Sequence, residues 1–304
     1  MSTVSPMRIA LLAGLTVLLA GCATPSTRFD SQQRRAVTIL ALKTDADSLA
    51  AAGLLSLLER EAKDAPLSLI ARAVEAAPDR PDLLWLQIQV CHESPRCDPD
   101  PMERRLRMLD PSNGVIEMGA LARADASRDD EAKDAALAAM SRSDRVDLYW
   151  TTLIAHLGRA TVMSKTLSPW QAEIAIIGVL AGQEIPAYAP VSNACKGDRL
   201  KRSEIVESCR GVARALLRGD TYLTEMMGVA IAKRVWPEDS PEWRAAADAR
   251  RLYDYRARYS AQLEQWEAKH AEQLLAMCAA NPSEQEVLKA QLVATGRNPN
   301  PPPQ

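Results

Sequence analysis

Apolar side chains recur along this chain at helical spacing and almost never in the alternation of a strand. Val146, Tyr149, Trp150, Leu153, Ile154 and Leu157 share one face of a helix, as do Leu84, Ile88 and Cys91 earlier. From 242 to 279 there is no glycine or proline, and Leu252, Tyr255, Tyr259, Leu263, Trp266, His270, Leu274 and Met277 mark a single stripe. One long helix, or two joined end to end, is predicted there. Residues 170–181 read as a buried helix, and 182–194, with Pro186 and Pro190, as a loop. Further helices are predicted over about 203–217 and 221–235, closed by the break Trp236-Pro237-Glu238-Asp239-Ser240-Pro241. Two starts carry their own punctuation. Asp100-Pro101 reads as a cap and first-turn proline, and Ser127-Arg128-Asp129-Asp130 as a capping box.

The first residues have a different pattern. Arg8 precedes an apolar run over 9–20 that is too short to cross a hydrocarbon core, which needs about 20 residues. Residues 23–34 are polar and turn-rich, as a tether would be. The last seven residues include four prolines and read as a disordered or polyproline tail.

Composition agrees with helices. Alanine fills 50 of 304 positions and Phe29 is the single phenylalanine, so the predicted class is all-α. The formal net charge of −2 argues against a nucleic-acid surface.

A short motif repeats. Asp79-Arg80-Pro81-Asp82-Leu83-Leu84-Trp85 returns as Asp144-Arg145-Val146-Asp147-Leu148-Tyr149-Trp150, and Asp110-Pro111-Ser112-Asn113 opens another helix midway. Half of that interval is close to the roughly 34-residue tetratricopeptide period. The segment resembles a divergent tetratricopeptide array, with Ala73 and Pro78, Leu106 and Pro111, and Gly119 at positions typical of that family. The resemblance implies stacked helical hairpins with a concave binding face. The expected order is a signal peptide over 1–21, a flexible tether over 22–35 and hairpin repeats over 36–163. A helical region with a disulfide loop over 164–240, a long helical segment over 241–295 and a disordered tail over 296–304 complete it.

Leu19-Ala20-Gly21-Cys22, after the apolar run, resembles the lipobox of bacterial lipoproteins. The resemblance implies cleavage before Cys22, lipidation of that cysteine and tethering to a membrane. Several acyl chains, at about 0.8 kcal/mol for each buried methylene, hold such an anchor stably. Ala23 rather than aspartate at the next position implies, by the same resemblance, the outer membrane over the inner one, and the periplasmic face of the outer membrane is the expected location.

In that compartment Cys91, Cys97, Cys195, Cys209 and Cys278 meet oxidising conditions. Four cysteines allow three connectivities. Proximity favours Cys91 with Cys97 and Cys195 with Cys209, leaving Cys278 free. A metal reading of Cys91-His92-Cys97 lacks a fourth ligand at usable spacing.

The chain has no glycine-rich phosphate loop, nucleophile elbow or paired-histidine metal motif, and no cofactor is expected. His92, His156 and His270 are far apart in sequence. His92-Glu93-Ser94 is similar to the catalytic glutamate–serine pair of lytic transglycosylases, but Pro95-Arg96-Cys97 follows where that family has glycines. Lys196, Arg199, Lys201 and Arg202 form a basic cluster. Arg250, Arg251, Arg256 and Arg258 alternate with Tyr253, Tyr255 and Tyr259. The expectation is a non-catalytic lipoprotein with a protein or peptide partner in the envelope. The alternatives are a peptidoglycan-acting enzyme using Glu93 as general acid, or a passive structural lipoprotein.

Overall fold

The computed structural model describes residues 24–58, 65–92, 94, 97–184, 188–260 and 268–302. Among them the chain is all-α, with one isolated bridge between Asn113 and Arg145. Fifteen α-helices run in order among the described residues: α1 Thr24–Ala41, α2 Ala46–Ser56, α3 Ala65–Ala76, α4 Pro81–His92, α5 Asp100–Leu109, α6 Val115–Ser127, α7 Asp130–Met140 and α8 Trp150–Met163. Then come α9 Pro169–Glu184, α10 Tyr188–Ala194, α11 Ser203–Leu216, α12 Tyr222–Val235, α13 Pro241–Ser260, α14 Ala268–Ala280 and α15 Glu284–Ala294.

Side-chain oxygens begin several of them. Asp45 accepts from Ser48 N at 2.9 Å, Thr221 from Thr224 N at 3.2 Å and Ser283 from Glu286 N at 3.4 Å. The cap of α7 is Asp129, which accepts from Ala132 N at 3.0 Å. Ser127, the first residue of the capping-box pattern, instead ends α6 and bonds back to Arg123 O.

Neighbouring helices pair as α2 with α3, α6 with α7 and α11 with α12. Helix α8 does more. It packs against α1, α2, α4, α9 and α14, joining the first part of the chain to the last. Stacking of each hairpin on the next does not by itself bring those elements together.

The two copies of the Asp-Arg motif make corresponding ion pairs. Arg80 reaches Asp82 at 2.5 Å and Asp47 at 3.2 Å, while Arg145 reaches Asp147 at 3.5 Å and Asp110 at 2.7 Å. Their registers differ, because α4 starts at the third residue of the first copy and α8 at the seventh of the second.

Gly211 sets the approach of α11 to α7. A Cβ there would lie 2.5 Å from Ser141 O, a backbone atom that cannot swing aside. Gly211→Ala is expected to destabilise by about 2 kcal/mol through overpacking, read as a lower denaturant midpoint.

Several sequence expectations need correction. The stretch read as a tether is helical from Thr24. The stretch read as a loop contains α10, whose Tyr188, Val191 and Ala194 are buried. In the C-terminal part the buried residues are Ala246, Tyr253, Arg256 and Ser260 on α13 and Ala271, Leu275 and Cys278 on α14. The stripe drawn through Tyr255, Tyr259, His270, Leu274 and Met277 lies beside that face and is half-buried; Leu263 and Trp266 lie outside the described residues. The tail is held as far as Pro299, since Tyr255 Oη donates to Asn298 O at 3.0 Å and Arg256 Nε to Pro299 O at 3.1 Å.

Candidate functional site

Cys22 and Glu93 lie outside the described residues. The other four singled-out cysteines form two disulfides, Cys91–Cys97 beside the end of α4 and Cys195–Cys209 between α10 and α11. Cys278 is free and buried, and burial with the nearby Glu173 and Glu284 charges pushes its thiol up to about 12. Such a thiol stays protonated and unreactive.

Three of the four basic side chains near Cys195 pair with acidic neighbours. Arg199 pairs with Asp130 and Asp134, Arg202 with Asp134 and Glu204, and Lys201 with Asp198. On α13, Arg250 pairs with Asp254, Tyr253 stacks on Tyr222 at 3.5 Å, and Arg256 Nη1 donates to Gln285 Oε1 at 2.9 Å. Tyr253 thereby joins α13 to α12 and Arg256 joins it to α15, while the Arg250–Asp254 pair lies along α13 itself.

The histidines occupy three separate places. His156 Nδ1 lies 3.0 Å from Asp47 Oδ2, and this contact holds the Asp47 carboxyl below its ordinary value. Arg80 takes the other oxygen of Asp47. His92 Nε2 lies 3.6 Å from Glu103, a buried carboxylate that accepts two bonds from Arg123 at 2.7 and 2.8 Å. Burial keeps the His92 ring below its ordinary pKa against the pull of Glu103. Both carboxylates are thus satisfied by cations of their own fold.

The third place is different. A cavity of about 610 Å³ opens between α9, α14 and α15. Leu274, Ala276, Met277 and Ala294 supply apolar wall, and Glu173, His270 and Gln291 supply the polar groups. Such a volume suits a small organic ligand, for which sites run from about 300 to 1,000 Å³. Glu173 is 4% exposed, and no hydrogen bond or ion pair reaches it among the described residues. Burial alone pushes its carboxyl up to about 7. On the facing helices His270 Nδ1 and Gln291 Oε1 are also buried without a partner. Native proteins rarely leave such groups unsatisfied, because each costs about 1–3 kcal/mol.

A raised pKa means that the fold favours the protonated carboxyl. Glu173 therefore contributes stability below about pH 4.5 that is lost as pH rises towards 7. Glu225, pushed up to about 7 by burial, acts in the same direction.

Glu173 is not among the residues that the sequence pattern singles out. The available signal was a lone carboxylate at the edge of the apolar run Ile174-Ala175-Ile176-Ile177. His270 was noted only as a member of the α13–α14 stripe. Among the described residues, no group of three or more histidine, cysteine or acidic side chains is placed to hold a metal ion, and no helix is long and apolar enough to cross a membrane. Comparison with models of protein families, with curated proteins and with solved structures gives no match.

Proposed function

We propose that the chain is a lipid-anchored lipoprotein of the bacterial envelope whose helical body is a binding module, set on the periplasmic face of the outer membrane. The observation that carries this reading is the segment Leu19-Ala20-Gly21-Cys22, whose cysteine stands two positions ahead of Thr24, where the first described helix begins. A lipid on Cys22 would hold the body close to the bilayer, since two residues span about 7 Å at most. Two disulfides support an oxidising compartment.

Binding rather than chemistry is supported by how the polar groups are used. Glu103, Asp47 and Asp220 are each engaged in holding helices together. On α9, Trp170 and Ile174 stand one turn apart and remain open, a short apolar strip of the kind a protein or peptide partner covers.

The experiment is Cys22→Ala in the full-length chain. The parent protein is expected in the membrane fraction, with mass spectrometry finding acyl chains on its N-terminal cysteine. The variant is expected to lose the modification entirely and leave the membrane fraction. An unmodified Cys22 in the mature parent would end this reading.

A further inference from the structure

We propose that the cavity between α9, α14 and α15 binds an organic cation, an ammonium group carried on an apolar body, with Glu173 as its counter-charge. This goes beyond anchoring and concerns the helical body alone.

The first ground is the state of Glu173 among the buried carboxylates. Glu103 is clamped by Arg123, and Asp82 accepts from Arg80 at 2.5 Å. Glu173 is buried just as thoroughly, yet no cation of the fold reaches it among the described residues. An isolated carboxylate removed from water is costly, and a positive charge brought in from outside restores its preferred form.

The second ground is the shape and chemistry of the space. It is large enough for a ligand body as well as a head group, and Leu274, Ala276, Met277 and Ala294 give that body an apolar lining. An ammonium offers up to three N–H donors and no acceptor. Gln291 Oε1, buried without a partner on α15, is a second acceptor in the same wall region. An anionic ligand would meet Glu173 with like charge, and an apolar one would leave both acceptors unsatisfied.

The groups facing Glu173 from α14 are His270 and Cys278. No charged group on α2 or α8, which also pack against α9, acts on its carboxyl. The carboxyl at about 7 then makes binding depend on pH. An alkylammonium stays charged up to about pH 10, so affinity follows ionisation of Glu173 and rises about tenfold from pH 6 to 8.

The test titrates the full-length protein, held in lipid nanodiscs, with three probes that share one body, against empty nanodiscs. Phenethylammonium carries a cation, 2-phenylethanol a neutral donor and 3-phenylpropanoate an anion. Calorimetry is expected to show binding of the cation, at least tenfold weaker binding of the alcohol and none of the anion. Glu173→Gln is expected to weaken the cation at least tenfold and abolish the pH dependence. Ala276→Trp, which adds bulk at the cavity wall while keeping Glu173, is expected to weaken all binding. Equal affinity for the three probes, no binding of any, or unchanged affinity in Glu173→Gln overturns the proposal.

Discussion

Asp220→Ala is expected to lower the stability of the protein by about 4 kcal/mol, read as a lower denaturant midpoint at unchanged slope. Asp220 sits just before α12 and is 4% exposed. Its two oxygens accept from Leu148 N at 2.8 Å and from Trp150 N at 2.7 Å. Asp147 takes the amide between them, Tyr149 N, at 2.7 Å. Three successive N–H groups thus point at two carboxylates, as in an anion-binding nest. Tyr149 holds a left-handed φ of 58°, a conformation costing a non-glycine residue about 1–3 kcal/mol unless its surroundings enforce it. Alanine at 220 would strand one buried and one part-buried donor, at about 1–3 kcal/mol each, and release that constraint on the start of α8. Asp220→Asn keeps one acceptor and should cost about half as much. If alanine costs under about 1 kcal/mol, the nest does not hold α8 in place.

Opening the Cys195–Cys209 bond by the double change Cys195→Ala/Cys209→Ala is expected to cost about 3 kcal/mol, a fall in Tm of about 5 °C. The bond joins residues 14 apart, so its removal frees a loop of about 15 residues in the unfolded chain. Both cysteines are fully buried among α10, α11 and their neighbours. The bond between Cys91 and Cys97, 6 residues apart, closes a shorter loop, and its removal should cost about 2 kcal/mol. Calorimetric scans of the two double variants check both the sizes and their order.

These two features differ in how openly the sequence declares them. A disulfide between cysteines close in sequence is a local event, and both pairs can be proposed from spacing and compartment. The helices with clear punctuation are equally local. Residues 203–217 and 221–235 were predicted, and α11 and α12 occupy them with Thr221 as the cap. Asp220 gives no such sign, because its partners lie 70 and 72 residues away and only the packing of α12 near α8 brings them together.

The buried face of α13 and α14 was misread for a related reason. The apolar stripe runs through Tyr255, Tyr259, Leu274 and Met277, whereas the buried face mixes Tyr253 and Leu275 with small or polar residues, Ala246, Arg256, Ser260 and Ala271, that a hydrophobicity pattern does not single out. The cavity is the least legible part. Glu173 looks like an ordinary surface charge until α14 and α15 cover it, and no periodicity reports where a third helix will leave space.

The central place of α8 bears on how the chain reaches its final state. During synthesis its partners from α1, α2 and α4 are already present, but α14 emerges about a hundred residues later. Until then one flank of α8 has nothing to rest on, and α9 lacks the neighbour that closes over Glu173. The body is therefore sealed from its C-terminal end. A ribosome that stops before α14 would release a nearly full-length chain with an open seam, an easy target for a quality-control protease.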